Sequence, residues 1–209
     1  MTNSRRFRLL VLVLALATGA CTGREAKGST DSSKANVPRR STGYVDSILP
    51  PEEALRRFRR GLPAVSTLSE ASPSRDALVR RFVRAAESAD TAAFRAMVLN
   101  RAEFAYLYYP PSPFARRPYL TSPALLWFLT QQHSEKGVTR LLRRYGGRPL
   151  GFAGAECEVE PSRQGENKLW QVCSVRYTTS AGDTLTRRLF GAIIGRGGQY
   201  KFVSYTNDL

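Results

Sequence analysis

Apolar residues follow four rhythms along the chain, and each predicts a different kind of structure. Behind Arg5, Arg6 and Arg8, Leu9 to Ala17 is one unbroken apolar run. It is far below the roughly 18 to 20 residues that cross a bilayer as a helix, so it reads as the core of an export signal rather than as an anchor. Residues Thr22 to Ser41 are almost free of apolar side chains and cannot drive their own ordering, which predicts a flexible tether over 21–43. From about Tyr44 the spacing becomes helical, and from Leu150 it becomes alternating, so the pattern predicts helices first and strands last, an α+β arrangement.

In the helical part, Pro51 fits a first turn, with Glu52 and Glu53 on the positive end of the helix dipole. Arg56 to Arg60 lie toward its negative end and Gly61 stops it. This predicts a short amphipathic helix, followed by a linker to residue 73. Ser74 is placed to cap a helix reaching about Ser88, with Leu78, Val79, Phe82, Val83 and Ala86 as its buried stripe. Asp90 restarts the chain as the cap of a second helix to about Leu99. Ala102 to Tyr109 (AEFAYLYY) fits a helix end or a strand, and the alternation of Phe104, Tyr106 and Tyr108 favours the strand. A proline-rich loop follows, carrying Phe114 and Tyr119 either as a pocket rim or as fasteners to the body. Two further helices are predicted, Ala124 to about His133 and Glu135 to Tyr145.

The alternating part predicts four strands in an antiparallel meander: Leu150–Glu160, Lys168–Thr179, Thr184–Ile194 and Gln199–Thr206. Residues 74–209 are then expected to form a single domain, its N-terminal helices packed on one face of an antiparallel sheet of four or five strands. If the first hairpin folds symmetrically about Gly165, Cys157 and Cys173 fall opposite one another, with Ala155 across from Val175. Directly opposed cysteines are close enough for a disulfide. Adjacent Arg187 and Arg188 would point to opposite faces, and the inward one would need an internal partner or would line a pocket for an anionic ligand.

Charge and residue inventory narrow the function. The formal charge is +15, and +12 without the three arginines ahead of the apolar run. Anionic lipid heads and acidic envelope polymers suit such a balance; scattered arginine pairs with only five lysines give no nucleic-acid-binding block, so nucleic acid is not the expected partner. His133 is the only histidine and is expected on a helix surface. Glu156, Glu158 and Glu160 share a strand face that is expected to be solvated rather than metal-binding. No nucleophile–base pair, metal cluster or phosphate-cradling loop is written in the sequence, so no catalytic residue, metal or cofactor is expected.

Two resemblances extend this reading. Arg5 to Cys21, ending in the small residues Gly19 and Ala20 before a cysteine, resembles a bacterial lipoprotein signal. That resemblance implies cleavage of residues 1–20 and acylation of Cys21, and it leaves Cys157 and Cys173 as an even pair. It further implies a domain held about 25 Å from the bilayer by its tether, on the outer membrane where the cell has one. FVRAAESADTAAFRAMV (Phe82 to Val98), with Asp90 at the corner of paired helices, resembles the nuclear transport factor 2-like superfamily, whose cystatin-like cone wraps a curved sheet around helices. The second resemblance implies a pocket walled by Tyr106, Tyr108, Trp127 and one of Arg187 and Arg188. A membrane-tethered domain that binds a small molecule or an envelope partner without catalysis is the expected function; a cone-fold isomerase or hydrolase acting on an apolar or anionic substrate is the alternative. A deep pocket with an ionisable group beside a tyrosine would favour the enzyme, and an aromatic-filled interior the binding domain.

Overall fold

The computed structural model describes residues 49–179 and 182–209. The signal segment, the tether and Cys21 lie outside these residues. Residues Asp46–Leu209 group as one compact unit, so the described part is one body of helices and antiparallel strands.

Helix α1 (Pro51–Arg59) begins at its proline and pairs Glu53 with both Arg56 and Arg57 at 2.6 Å. Its apolar side is narrow, but Phe58 is buried against the edge of the Phe104 ring, 5.8 Å between centroids. The helix is thus fastened to the body. Helices α2 (Arg75–Glu87) and α3 (Thr91–Met97) have the caps expected of them: Ser74 Oγ accepts from Ala77 N, and Asp90 Oδ1 accepts from Ala92 N and Ala93 N. Phe82 stands at the centre of the core, its ring 5.2 to 5.9 Å from those of Phe94, Phe190, Phe202 and Tyr205. Burying a side chain of this size contributes about 1.5 to 3 kcal/mol.

The strand expected at 102–109 is helical instead. Asn100 caps a short helix, α4 (Arg101–Glu103), through a reciprocal capping box with Glu103, and the chain runs on as a π-helical turn over Phe104–Tyr108. Once the capping box sets helical dihedrals at Arg101, the aromatics that alternate in sequence are distributed around a helix. The wide turn closes through Tyr109 N to Phe104 O at 2.8 Å. Carbonyls that such a turn leaves over find side chains: Arg59 donates to Ala105 O at 3.0 and 3.1 Å, and Asn167 Nδ2 donates to Leu107 O at 2.7 Å.

The two helices expected between 124 and 145 are one, α5 (Pro123–Tyr145). No side chain in Gln132-His133-Ser134-Glu135 interrupts the turns; Ser134 Oγ faces sideways and accepts from Tyr205 N at 3.2 Å. His133 is exposed, as expected, but lies near the helix middle rather than its end. Gly137 lets α5 lie directly on the backbone of residues 205–207, since a Cβ there would fall 1.8 Å from Tyr205 O.

Two of the four expected strands break in two, and a further short strand forms beyond the first, in residues expected to belong to the turn, giving seven: β1 (Phe152–Cys157), β2 (Ser162–Gln164), β3 (Asn167–Trp170), β4 (Cys173–Thr178), β5 (Thr184–Arg187), β6 (Ile193–Arg196) and β7 (Gln199–Phe202). They form two antiparallel sheets, ordered β1-β4-β5 and β2-β3-β6-β7. The cause is visible at 188–192, where consecutive Leu189 and Phe190 are both fully buried. A pleated strand would send one of them outward, so the chain leaves the pleat between β5 and β6. Gln171 and Val172, both exposed, make the matching corner between β3 and β4. The hairpin register is as expected: Ala155 pairs with Val175 and Cys157 with Cys173, whose Cα atoms are 4.0 Å apart across a disulfide. Gly165 turns the β2–β3 hairpin with φ +60°.

Candidate functional site

The structure does not assemble Tyr106, Tyr108, Trp127, Arg187 and Arg188 into one pocket. Tyr106, Tyr108 and Trp127 are brought together against the cluster around Phe104. Tyr108 and Trp127 pack on the Phe104 ring, at 5.5 and 5.1 Å between centroids, and Tyr106 lies under the Arg59 guanidinium, 4.3 Å from ring centre to Cζ. Arg187 is exposed at the end of β5. Arg188 is half-buried just past that strand and donates to Phe190 O at 3.4 Å. Because the strand ends between them, the two arginines do not straddle one sheet. The space between helices and strands, where a cone would keep its pocket, is filled by Phe82, Phe94, Phe190, Phe202 and Tyr205.

A cleft in which two hydroxyls meet lies elsewhere, where the C-terminal end of α5 meets β1, β4 and β5. It has a volume of about 600 Å³. Tyr145, from the last turn of α5, and Tyr177, from β4, meet there with their hydroxyls 2.5 Å apart and their rings edge to face. Tyr177 is buried, and that burial, reinforced by the bond to Tyr145, pushes its hydroxyl up to about 12. It therefore keeps its proton throughout the physiological range. Arg144 and Arg148 line the same cleft and are exposed, while Leu150 and Leu185 give it apolar walls. Thr179 Oγ1, also at this cleft, is buried and has no hydrogen-bond partner among the described residues.

Two phenols sharing one hydrogen bond leave one O–H free to donate. With two guanidinium groups alongside, the arrangement is suited to an acceptor oxygen or an anionic group on a partly apolar molecule. It is poor in bases. Glu87, whose carboxylate reaches this region, is occupied as the acceptor for Leu150 N at 2.8 Å.

Two other clefts are less organised. One, about 590 Å³, runs along the outer side of α1 past Arg56, Arg59, Arg60 and Tyr106. The other, about 570 Å³, separates α3 from α5 and includes Trp127 and Arg95. Tyr205 lies at its floor, where burial raises its hydroxyl well above the ordinary tyrosine value and that hydroxyl donates a hydrogen bond to Phe94 O at 2.7 Å.

Sequence reasoning had a signal for the tyrosine pair and missed it. Tyr145 sits on the apolar side of a helix just before a glycine stop, and Tyr177 lies two residues from Val175 on the face that carries Cys173. Both positions are inward by periodicity, yet nothing local says that they meet across 32 residues. No family model, curated protein or solved structure matches this chain.

Proposed function

We propose that the chain is an exported envelope lipoprotein, tethered through Cys21, whose α+β domain binds a small molecule at the Tyr145–Tyr177 cleft without turning it over. The observation that carries this reading is the phenol pair itself, with Tyr177 held protonated beside Arg144 and Arg148. A protonated phenol donates and does not abstract. The ligand class it fits is a small molecule with a carboxylate, phosphate or enolate-like oxygen and an apolar body that reaches Leu150 and Leu185. The aromatic filling of the interior supports binding at this peripheral cleft over chemistry in a central cavity. The cone-type resemblance belongs to the same proposal; it rests on the paired helices around Asp90 and the strands that follow, and residues 101–109 depart from it by being helical.

Two measurements test the proposal. Native mass spectrometry of the protein purified without denaturation should show a small-molecule adduct that is lost in Arg144→Ala/Arg148→Ala. A wild-type spectrum free of adducts, together with no ligand-induced shift in melting temperature across carboxylates and phosphates, would remove the binding site. Turnover abolished by Tyr177→Phe would replace it with the isomerase or hydrolase alternative. The anchor is tested separately: Cys21→Ser should leave the membrane fraction and lose the acyl mass.

A further inference from the structure

The N-terminal half of α5 turns an apolar stripe outward. Leu125, Phe128 and Leu129 stand three and four residues apart and are 50%, 54% and 37% exposed. The other side of the same turns, Leu126 and Trp127, packs into the cluster around Phe104. Single exposed apolar residues are ordinary, but three on one helical stripe form a patch that asks for a partner. Tyr119, 65% exposed, stands in the loop just before the helix cap Ser122. Arg116 and Arg117 are exposed beside it. Between Glu103, which is sealed inside with Lys201, and Glu135 the sequence has no carboxylate at all.

We propose that this face docks on an anionic bilayer, with Leu125, Phe128 and Leu129 dipping into the headgroup boundary, Tyr119 at headgroup level, and Arg116 and Arg117 on lipid phosphates. Leucine and phenylalanine supply burial, tyrosine suits the interface, and arginines without neighbouring acids meet a negative surface unopposed. The inference rests on the tethered reading only in that a tether raises the local concentration of lipid at this face.

The test is hydroxyl-radical footprinting of the full chain purified from the envelope, read by mass spectrometry. The chain is mixed with vesicles of phosphatidylcholine containing phosphatidylglycerol, with vesicles of phosphatidylcholine alone, or with none. On the anionic vesicles Tyr119 and Phe128 should be labelled roughly threefold less than in solution. Val159 and Val172, 89% and 63% exposed on the first hairpin, should not change. Leu125→Ser/Phe128→Ser removes only exposed apolar groups, so circular dichroism should be unchanged while vesicle partitioning falls about tenfold and Tyr119 labelling returns. Equal labelling of Tyr119 and Phe128 with and without vesicles overturns the proposal. So does protection without lipid, which would put a second copy or the chain's own N-terminal segment on the stripe. Acyl mass at Cys21 with a fully labelled stripe would leave the anchor standing and remove the docking face; a wild type without acyl mass whose stripe is still protected on anionic vesicles would do the reverse.

Discussion

The ammonium of Lys201 on β7 lies 2.9 Å from one oxygen of Glu103 and 3.2 Å from the other, and the two side chains are 2% and 1% exposed. Glu103 also accepts Ser69 N, Ser69 Oγ and Asn100 N at 2.6 to 2.9 Å. One carboxylate thus ties the segment before α2, the start of α4 and the final strand together. Removing only the cation strands a buried charge, so Lys201→Met should destabilise by about 3 to 5 kcal/mol. Lys201→Met/Glu103→Gln should recover part of that loss, because the amide still accepts from Ser69, and not all of it, because one oxygen is gone. Urea unfolding checks both, as a shift in midpoint at constant slope; a double variant no better than the single would show that the ion pair is not what orders this junction.

Cys157 and Cys173 close a loop across the first hairpin with a sequence separation of 16. In the chain-entropy account this is worth about 3 kcal/mol. Non-reducing peptide mapping should recover the linked pair, and Cys157→Ala/Cys173→Ala should lose about that stability. Free thiols at both positions in protein taken from the envelope would contradict the pairing.

Gly137→Ala should be among the most damaging single substitutions. The added methyl would sit 1.8 Å from Tyr205 O and 2.6 Å from its carbonyl carbon, and backbone cannot swing aside as a side chain can. Relief requires α5 to lift away, which breaks Ser134 Oγ to Tyr205 N and Asn207 Nδ2 to Gly137 O. A loss of about 3 kcal/mol or more is expected, although alanine is the better helix former by about 1 kcal/mol. Calorimetry reads the sign directly: a rise in melting temperature would mean that the contact is not tight.

The tyrosine pair predicts an alkaline limit. Tyr177 titrates near 12 in the folded chain against about 10 when exposed. Its contribution is fully present below pH 10, falls as the unfolded chain ionises first, and is lost by about pH 12. Each unit is worth about 1.4 kcal/mol, so about 2 to 3 kcal/mol should disappear across that window. Tyr177→Phe should flatten this stretch of the stability curve. Tyr205 is also held well above the ordinary tyrosine range, so tyrosinate absorbance in the variant should show one late-titrating phenol fewer than in the wild type.

Where local chemistry decides structure, the sequence was sufficient. Ser74 and Asp90 read as helix caps because a short oxygen-bearing side chain before an apolar stripe has few other uses, and both hydroxyl and carboxylate accept the expected amides. The Cys157–Cys173 register followed from counting outward from Gly165, since an antiparallel hairpin has one symmetric solution. The α+β class followed from the change of period at Leu150.

What escaped depends on tertiary contact. The aromatic alternation of residues 104–108 was read as a strand, while the deciding signal, Asn100 and Glu103 spaced as a capping box, lay just upstream. The strand corners are set by which side chains the core takes in, and Leu189 and Phe190 side by side are the only local trace of one. Gly137 reads as a weak point in a helix until Tyr205 is placed against it. Glu103 and Lys201 are 98 residues apart, and nothing in either neighbourhood names the other.

The seating of residues 205–207 against α5 has a bearing on when the molecule can fold. Asn207 donates from inside the body to Gly137 O and Leu189 O, Arg140 holds it from α5, and Tyr205 reaches across to Phe94 O. Synthesis proceeds from the other end. A nascent chain that stops short of this stretch has Phe82 and Phe94 without their last aromatic neighbour, and α5 without the backbone against which Gly137 was kept bare. The packing of α5 against the sheet therefore waits on residues 205–207, which are made after every helix and strand that they hold together.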